Sequence, residues 1–418
     1  MQNKLADSEV PQGYTSLDAS SPTGDHADRE TVASAVKDFS IVLGGPVYNL
    51  LLRFHLIRQT VPNMRGRFIA LLAVIWLPLL ALSLREGMAF GHSVRIPFLY
   101  DFAMYGRFLF GLPLLLFAEL LIDPVVRQAV SEFVNAGLVP DQELPAFENI
   151  LRRVQQIRDS WIPEAILLVL AFFPTFLFQH EWVTGALTNW HTTAQGMSAA
   201  GWWYAMVSAP VMRYIAYRWV FRYFLWPVLL WKISKLRLIL IPTHPDRAAG
   251  VNFLAMSQRH FGILACALAC SVAGRVANMM VFEGAHLASF KYQLVGFVVL
   301  SVILGVLPLA LWVPKLMDVR KNGLLQYGRF AETYTKSFDR KWIHCGTKPA
   351  ESMLGTPDLQ SLADLGNSFF FIENMRKAPI TRKLIQQLAV RTALPFVPIV
   401  IFGTPTAELI EAVMKLIM

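Results

Sequence analysis

Residues 209–226 read APVMRYIAYRWVFRYFLW. Aromatic and aliphatic side chains fill most of the stretch, as in a membrane helix, yet Arg213, Arg218 and Arg222 stand inside it. A charged side chain at the bilayer centre costs about 2.5–3.5 kcal/mol on insertion scales. Whether this segment crosses a membrane decides the fold, and what holds its guanidinium groups bears on the function.

The remaining sequence supplies the frame. The chain has 418 residues, 55% of them hydrophobic and 16% charged, against about 25% charged in a soluble domain. Its mean hydropathy is +0.43. This is the profile of a polytopic membrane protein with modest soluble parts. The net charge of +9 follows from the tendency of cytoplasmic loops to collect Lys and Arg. Arginines interleaved with aromatics in 202–226 could mimic a nucleic-acid face, but a membrane location argues against nucleic acid. Cys266, Cys270 and Cys345 make neither a disulfide framework nor a zinc spacing. The first two, one helical turn apart, read as small packing residues.

A spanning helix needs about 20 mostly apolar residues to cross roughly 30 Å of hydrocarbon. Segments 67–84, 104–122, 162–180, 260–282 and 292–314 come close, and 388–403 is shorter. The opening stretch, extended to 201–226, is the remaining span. With a cytoplasmic N-terminus, segments 1–67, 123–161, 232–259 and 315–391 lie inside and hold 29 of the 38 Lys and Arg residues. The outside loops hold only Arg85, Arg95, Lys291 and Lys415. This asymmetry obeys the positive-inside rule and requires 201–226 to cross.

The expected fold is therefore all-α: a polytopic transmembrane bundle of six or seven spans with a small cytoplasmic helical insertion. Residues 1–40 are polar and read as a disordered cytoplasmic tail. Residues 41–66 read as an interfacial amphipathic helix, with Val47, Leu50, Leu51, Phe54 and Ile57 on one stripe. The first six spans fill 67–314, a cytoplasmic helical hairpin fills 315–387, and 388–418 holds the last span and the C-terminal segment. In the hairpin, Thr356 suits an N-cap, Pro357 the first helical position and Pro379 the stop.

Depth sorts the charges at ~1.5 Å of rise per residue. Arg107 and Arg275 fall in the outer parts of their spans, within reach of water, Glu181 or Glu283. Glu119, Glu164, Arg218 and Arg222 fall near the inner ends, where interhelical ion pairs are expected. Arg213 lies some 18 Å from the outer surface and points roughly 140° away from Arg218 around the helix. No carboxylate shares its depth. It is expected either to bond Asn278, tyrosines or a carbonyl near residue 206 released by Pro210, or to line a polar cavity that attracts an anion. Pro78, Pro113, Pro174, Pro210, Pro308, Pro395 and Pro398 interrupt spans. Transporters use such breaks, though proline is also commoner in membrane helices generally.

The loop IPTHPDRAAG, 241–250, presents His244, Asp246 and Arg247. Asp246 can cap the following helix, and Arg247 can bind a lipid phosphate or another anion. One His and one Asp make an incomplete metal site. Outside, His180, Glu181, His191, Glu283 and His286 are further polar candidates. The sequence has no Gly-rich phosphate loop, nucleophile elbow or HExxH. No catalytic residue, metal or cofactor is assigned.

THPDRAAG after a span, FDRKW at 338–342 and DLQSLADLGNSF at 358–369 resemble a set of uncharacterised bacterial inner-membrane proteins. In those the loop tends to read HPDRAGG, where this chain has Ala249. The resemblance covers most of 200–400 and implies a bacterial inner-membrane location, with no activity to transfer.

The leading expectation is a channel or transporter for a small, anionic solute. The alternatives are a membrane scaffold or sensor docking a cytoplasmic protein through 315–378, and a lipid-modifying enzyme built on the 244–247 loop. Membrane lipid and a second copy of the chain are further expected partners. A cavity reaching Arg213 favours transport. An exposed stripe along Leu359, Leu362, Phe369 and Ile372 favours the scaffold, and a pocket joining His244, Asp246 and another acid favours the enzyme.

Overall fold

The computed structural model describes residues 34–47, 64–91, 93–177, 189–193, 196–344 and 355–403. Expectations for 1–33, most of the interfacial helix (48–63), His180, Glu181, Cys345 and the segment after 403 lie outside the described residues.

The fold is helical. Its elements in chain order are α1 (Phe68–Arg85), α2 (Phe102–Asn135), α3 (Leu144–Asp159), α4 (Trp161–Leu177), α5 (residues 199–234), α6 (Phe253–Phe282), α7 (Leu287–Ala310), α8 (Val313–Phe338), α9 (Pro357–Glu373) and α10 (Arg382–Gly403). Six helical stretches are long and apolar enough to cross a membrane, among them α1, α2, α6, α7 and α10. The sixth, Asp141–Leu177, is divided at Ser160, whose ψ of 140° is extended. This yields an amphipathic α3, with Leu144, Phe147, Leu151 and Val154 buried on one face, and the apolar α4.

Helix α5 is absent from that group because its arginines and aromatics lower its hydropathy. It is nevertheless about 54 Å long at 1.5 Å per residue and packs against α1, α3, α4 and α7. A seventh helix thus runs the length of the bundle beside the apolar six. Helix α10 starts at Arg382 and runs 22 residues to Gly403, so residues ahead of the apolar 388–403 complete a span-length helix.

Helices α2 and α6 meet through small residues. A Cβ on Gly106 would stand 2.3 Å from the Cys270 carbonyl oxygen, and one on Gly274 would stand 2.4 Å from that of Phe102. Only glycine permits such an approach, the usual device for close helix contact in a membrane.

The two ends of the bundle differ. At one end a small antiparallel ribbon, β1 (Thr192–Thr193) and β2 (Gly196–Met197), covers the start of α5. The adjacent Trp190 is fully buried, and its indole N–H donates to Asp101 at 2.9 Å. Asp101 also caps α2, accepting from the backbone N–H groups of Ala103 and Met104.

At the other end lie α3 and the hairpin of α8 and α9. Thr356 caps α9 as its residue type predicts. The helix ends at Glu373 rather than at Pro379, because Arg376 turns away to bond the 241–252 loop. Its N–H donates to the Arg247 carbonyl at 2.8 Å and its guanidinium to Asn252 at 3.0 Å. Ile372 is buried, and Phe369 and Ile372 lie against Gly328 and Gly323 of α8. That part of the stripe is therefore spent inside the hairpin, while Leu359 is exposed.

Residues 34–47 differ from the expected tail and surface helix. Phe39, Ile41 and Val42 are buried, Ser40 bonds Asp123, and the Gly45 N–H donates to Asp159 at 2.8 Å. The segment is a strap laid across α2 and α3, fixed by apolar side chains too few to form a periodic signal.

Candidate functional site

A cavity of about 480 Å³ lies within the ribbon-end half of the bundle. Arg107 of α2, Arg213 of α5 and Arg275 of α6 all line it, with Ser271, Tyr204, Tyr217 and His191. No Asp or Glu is among its lining residues. The rest of the wall is apolar: Phe108, Pro174, Ala209, Met212, Ala216 and Leu268. A second hollow of about 230 Å³ shares Arg107, His191, Tyr204 and Arg275 with it and adds Asp101, Asn278 and Glu283.

Local backbone places these groups. Residues 105–111 of α2 and 204–208 of α5 are π-helical, a wider coil frequently found at functional sites. The two π segments face one another. Arg107 donates to the Tyr204 hydroxyl at 2.5 Å, and the rings of Phe108 and Tyr204 meet edge to face. Arg107 is thus bonded to Tyr204 and only partly exposed, with no ion pair to Glu283 among the described residues.

Arg213 is held without a carboxylate. Its Nη1 donates to the Ala171 carbonyl at 2.8 Å and to the Thr175 hydroxyl at 3.0 Å. Both acceptors belong to α4 beside Pro174, so neither the carbonyl near 206 nor Asn278 holds it. Asn278 serves the second hollow, donating to Asp101 at 2.7 Å and accepting from the Phe102 N–H at 2.8 Å. Arg275 is exposed and makes no hydrogen bond or ion pair with the described residues.

His191 is stacked on Tyr204 with ring planes 15° apart. Burial pushes its imidazole down to about 4, opposed by the Asp101 charge and aided by that of Arg107. It is therefore neutral near pH 7 and adds no charge to the site.

The other two arginines of α5 lie in the opposite half, outside the cavity. Arg218 approaches Glu164 at 3.3 Å and donates to the Gly44 carbonyl at 2.9 Å. Arg222 donates to Glu119 at 3.1 Å and stacks over Trp219 at 5.5 Å. Glu164 also accepts from Tyr214 and from the Val47 N–H. Five arginines grouped together by sequence thus divide into three around a cavity and two in ion pairs.

In the 241–250 loop the Asp246 carboxylate accepts backbone N–H groups from Ala248, Gly250 and Asn252 at 2.7–3.1 Å, with His244 at 2.9 Å. Burial opposes ionisation, but those N–H donors hold its carboxyl below the ordinary range. Arg247 and Ala249 both take φ 55°, so the left-handed turn forms although alanine stands where glycine would be favoured. The Arg247 side chain is exposed. A groove of about 390 Å³ does join His244 and Asp246 to another acid, Glu132. Asp246 is nevertheless occupied by the backbone, and the loop anchors the hairpin. Among the described residues no three His, Cys, Asp or Glu side chains group to hold a metal.

Tyr204, Thr175 and Asp101 were not singled out from sequence. Asp101 carried a readable signal, an acidic residue just before an apolar run. Tyr204 and Thr175 carried none, because their partners sit on other helices.

Fold and cavity define a multi-pass helical membrane protein with a cluster of arginines inside one half. No protein-family model, no curated protein and no solved structure matches the chain.

Proposed function

We propose that the protein is a channel or transporter for a small anionic solute, set in a bacterial inner membrane with its hairpin end cytoplasmic. One observation carries this reading: three guanidinium groups from three helices line one cavity that has no acidic residue in its wall. Positive charge against a largely apolar wall is costly unless an anion or water shares it, and the nearest acids, Asp101 and Glu283, lie in the adjoining hollow. Helices α2 and α5 change to π geometry at that level, as functional membrane helices often do. The bacterial inner-membrane location rests on the sequence resemblance, and the orientation on the Lys and Arg distribution.

The scaffold reading has less support, since Phe369 and Ile372 serve the hairpin itself. The enzyme reading has less support because the Asp246 carboxylate is engaged by backbone donors. The test is anion efflux from proteoliposomes with wild type and Arg213→Gln. The variant should lose at least about tenfold of the flux, the factor that corresponds to roughly 1.4 kcal/mol, while retaining its elution profile in detergent. Unchanged flux in a folded variant would refute the proposal.

A further inference from the structure

We infer that the solute is an organic anion with an apolar body: a carboxylate or phosphate head bound by Arg213 and Arg275, its hydrocarbon part lying against Phe108, Tyr217 and Leu268. This rests on the anion-binding reading above and narrows the ligand class.

Size is the first argument. The cavity holds about 480 Å³, whereas a water occupies roughly 30 Å³ of liquid and sites for organic ligands run about 300–1,000 Å³. A small inorganic ion would leave most of this space unfilled. Wall chemistry is the second. Charge is confined to the three guanidinium groups, and aromatic and aliphatic side chains make up most of the remainder. A convergent polar group within an apolar wall orients a ligand that has one charged end. Access is the third argument. The cavity lies between two helix pairs, α4 with α5 and α2 with α6, and among the described residues α4 and α6 do not pack closely on each other. Leu268, 41% exposed, and the exposed Arg275 are the α6 residues that both line the cavity and reach the surface. A ligand reaching the cavity from the bilayer side would pass an apolar residue and a cation that has no bond to the described residues. Guanidinium groups suit both head types, because their planar donors match carboxylate and phosphate oxygens.

The same chemistry could come from a soluble organic acid or from an anionic lipid, and one experiment separates them. Full-length protein in nonionic detergent is titrated with octanoate, acetate and octanol, following intrinsic tryptophan fluorescence or heat. Octanoate should bind at least tenfold more tightly than either acetate or octanol. Arg275→Gln should weaken octanoate at least fivefold, and Arg275→Lys should weaken it less. Phosphatidylglycerol in mixed micelles then competes with octanoate if the lipid is the source and fails to compete if a soluble acid is; either result upholds the inference. Octanoate binding no tighter than acetate would overturn it and leave a small-anion carrier standing. Octanol equal to octanoate would overturn it and remove the charge-based reading of the cavity as well.

Discussion

Arg213 and Arg222 stand about 14 Å apart along one helix, at 1.5 Å per residue, and are accommodated by different means. Arg222 is buried against a carboxylate, with Glu119 at 3.1 Å and Trp219 beneath its guanidinium. Arg213 is only partly buried, bonds a carbonyl and a hydroxyl of α4, and faces a cavity with two further arginines. The same residue type on the same helix therefore serves two ends. Where a complementary charge is built in, the arginine fixes helix register. Where none is built in, the arginine is held by neutral acceptors, and on the proposed function its charge is available to an anion from outside the chain.

Removing the built-in partner should give the largest effect. Glu119→Ala leaves the Arg222 charge buried and unpaired, and breaking such a pair typically costs about 3–5 kcal/mol. Chemical denaturation in detergent should register a loss of that order. A loss below about 1 kcal/mol would place Arg222 in the same category as Arg213 and dissolve the contrast.

The ribbon-end half can instead be challenged by adding charge to it. His191 titrates at about 4 in the fold and near 6.5 when unfolded. Above pH 6.5 both states are neutral and the fold keeps its full stability. As the pH falls from 6.5 to 4 the unfolded chain takes the proton first, so stability declines through that window, by about 3 kcal/mol at 1.36 kcal/mol per pH unit. His191→Gln should remove this component of the pH profile. Wild type and variant falling in parallel would show that the imidazole is not held neutral.

The smallest effect is expected at Thr175. Thr175→Val removes one of the two described acceptors of Arg213 and the hydroxyl's own bond to the Ala205 carbonyl while keeping the side-chain shape. It should cost about 2 kcal/mol, within the usual range for a hydrogen bond to a charged group. A loss approaching that of Glu119→Ala would mean that Arg213 is a structural arginine tied to α4.

Much of the bundle was legible in advance because hydrocarbon imposes a simple rule. Segments such as 292–314 are apolar for long enough to cross, and α7 occupies most of that interval. The hairpin start was legible through Thr356 and Pro357, since capping is a local interaction. The strap at 34–47 and the break at Ser160 were not, because both depend on contacts far along the chain. Gly45, for example, bonds Asp159.

The sequence by itself determined that the chain is helical and membrane-like, and that its charges within apolar segments are few and nameable. Hydropathy and residue type are properties of each segment alone, so they could be read without coordinates. Only the tertiary structure decided that Arg107, Arg213 and Arg275 share a cavity while Arg218 and Arg222 meet acids. Position along a helix gives depth and facing, but the neighbour that a face meets is set by how α2, α4, α5 and α6 pack. The close glycine crossing of α2 and α6 and the two π segments turn those faces by amounts that no periodicity in the sequence records.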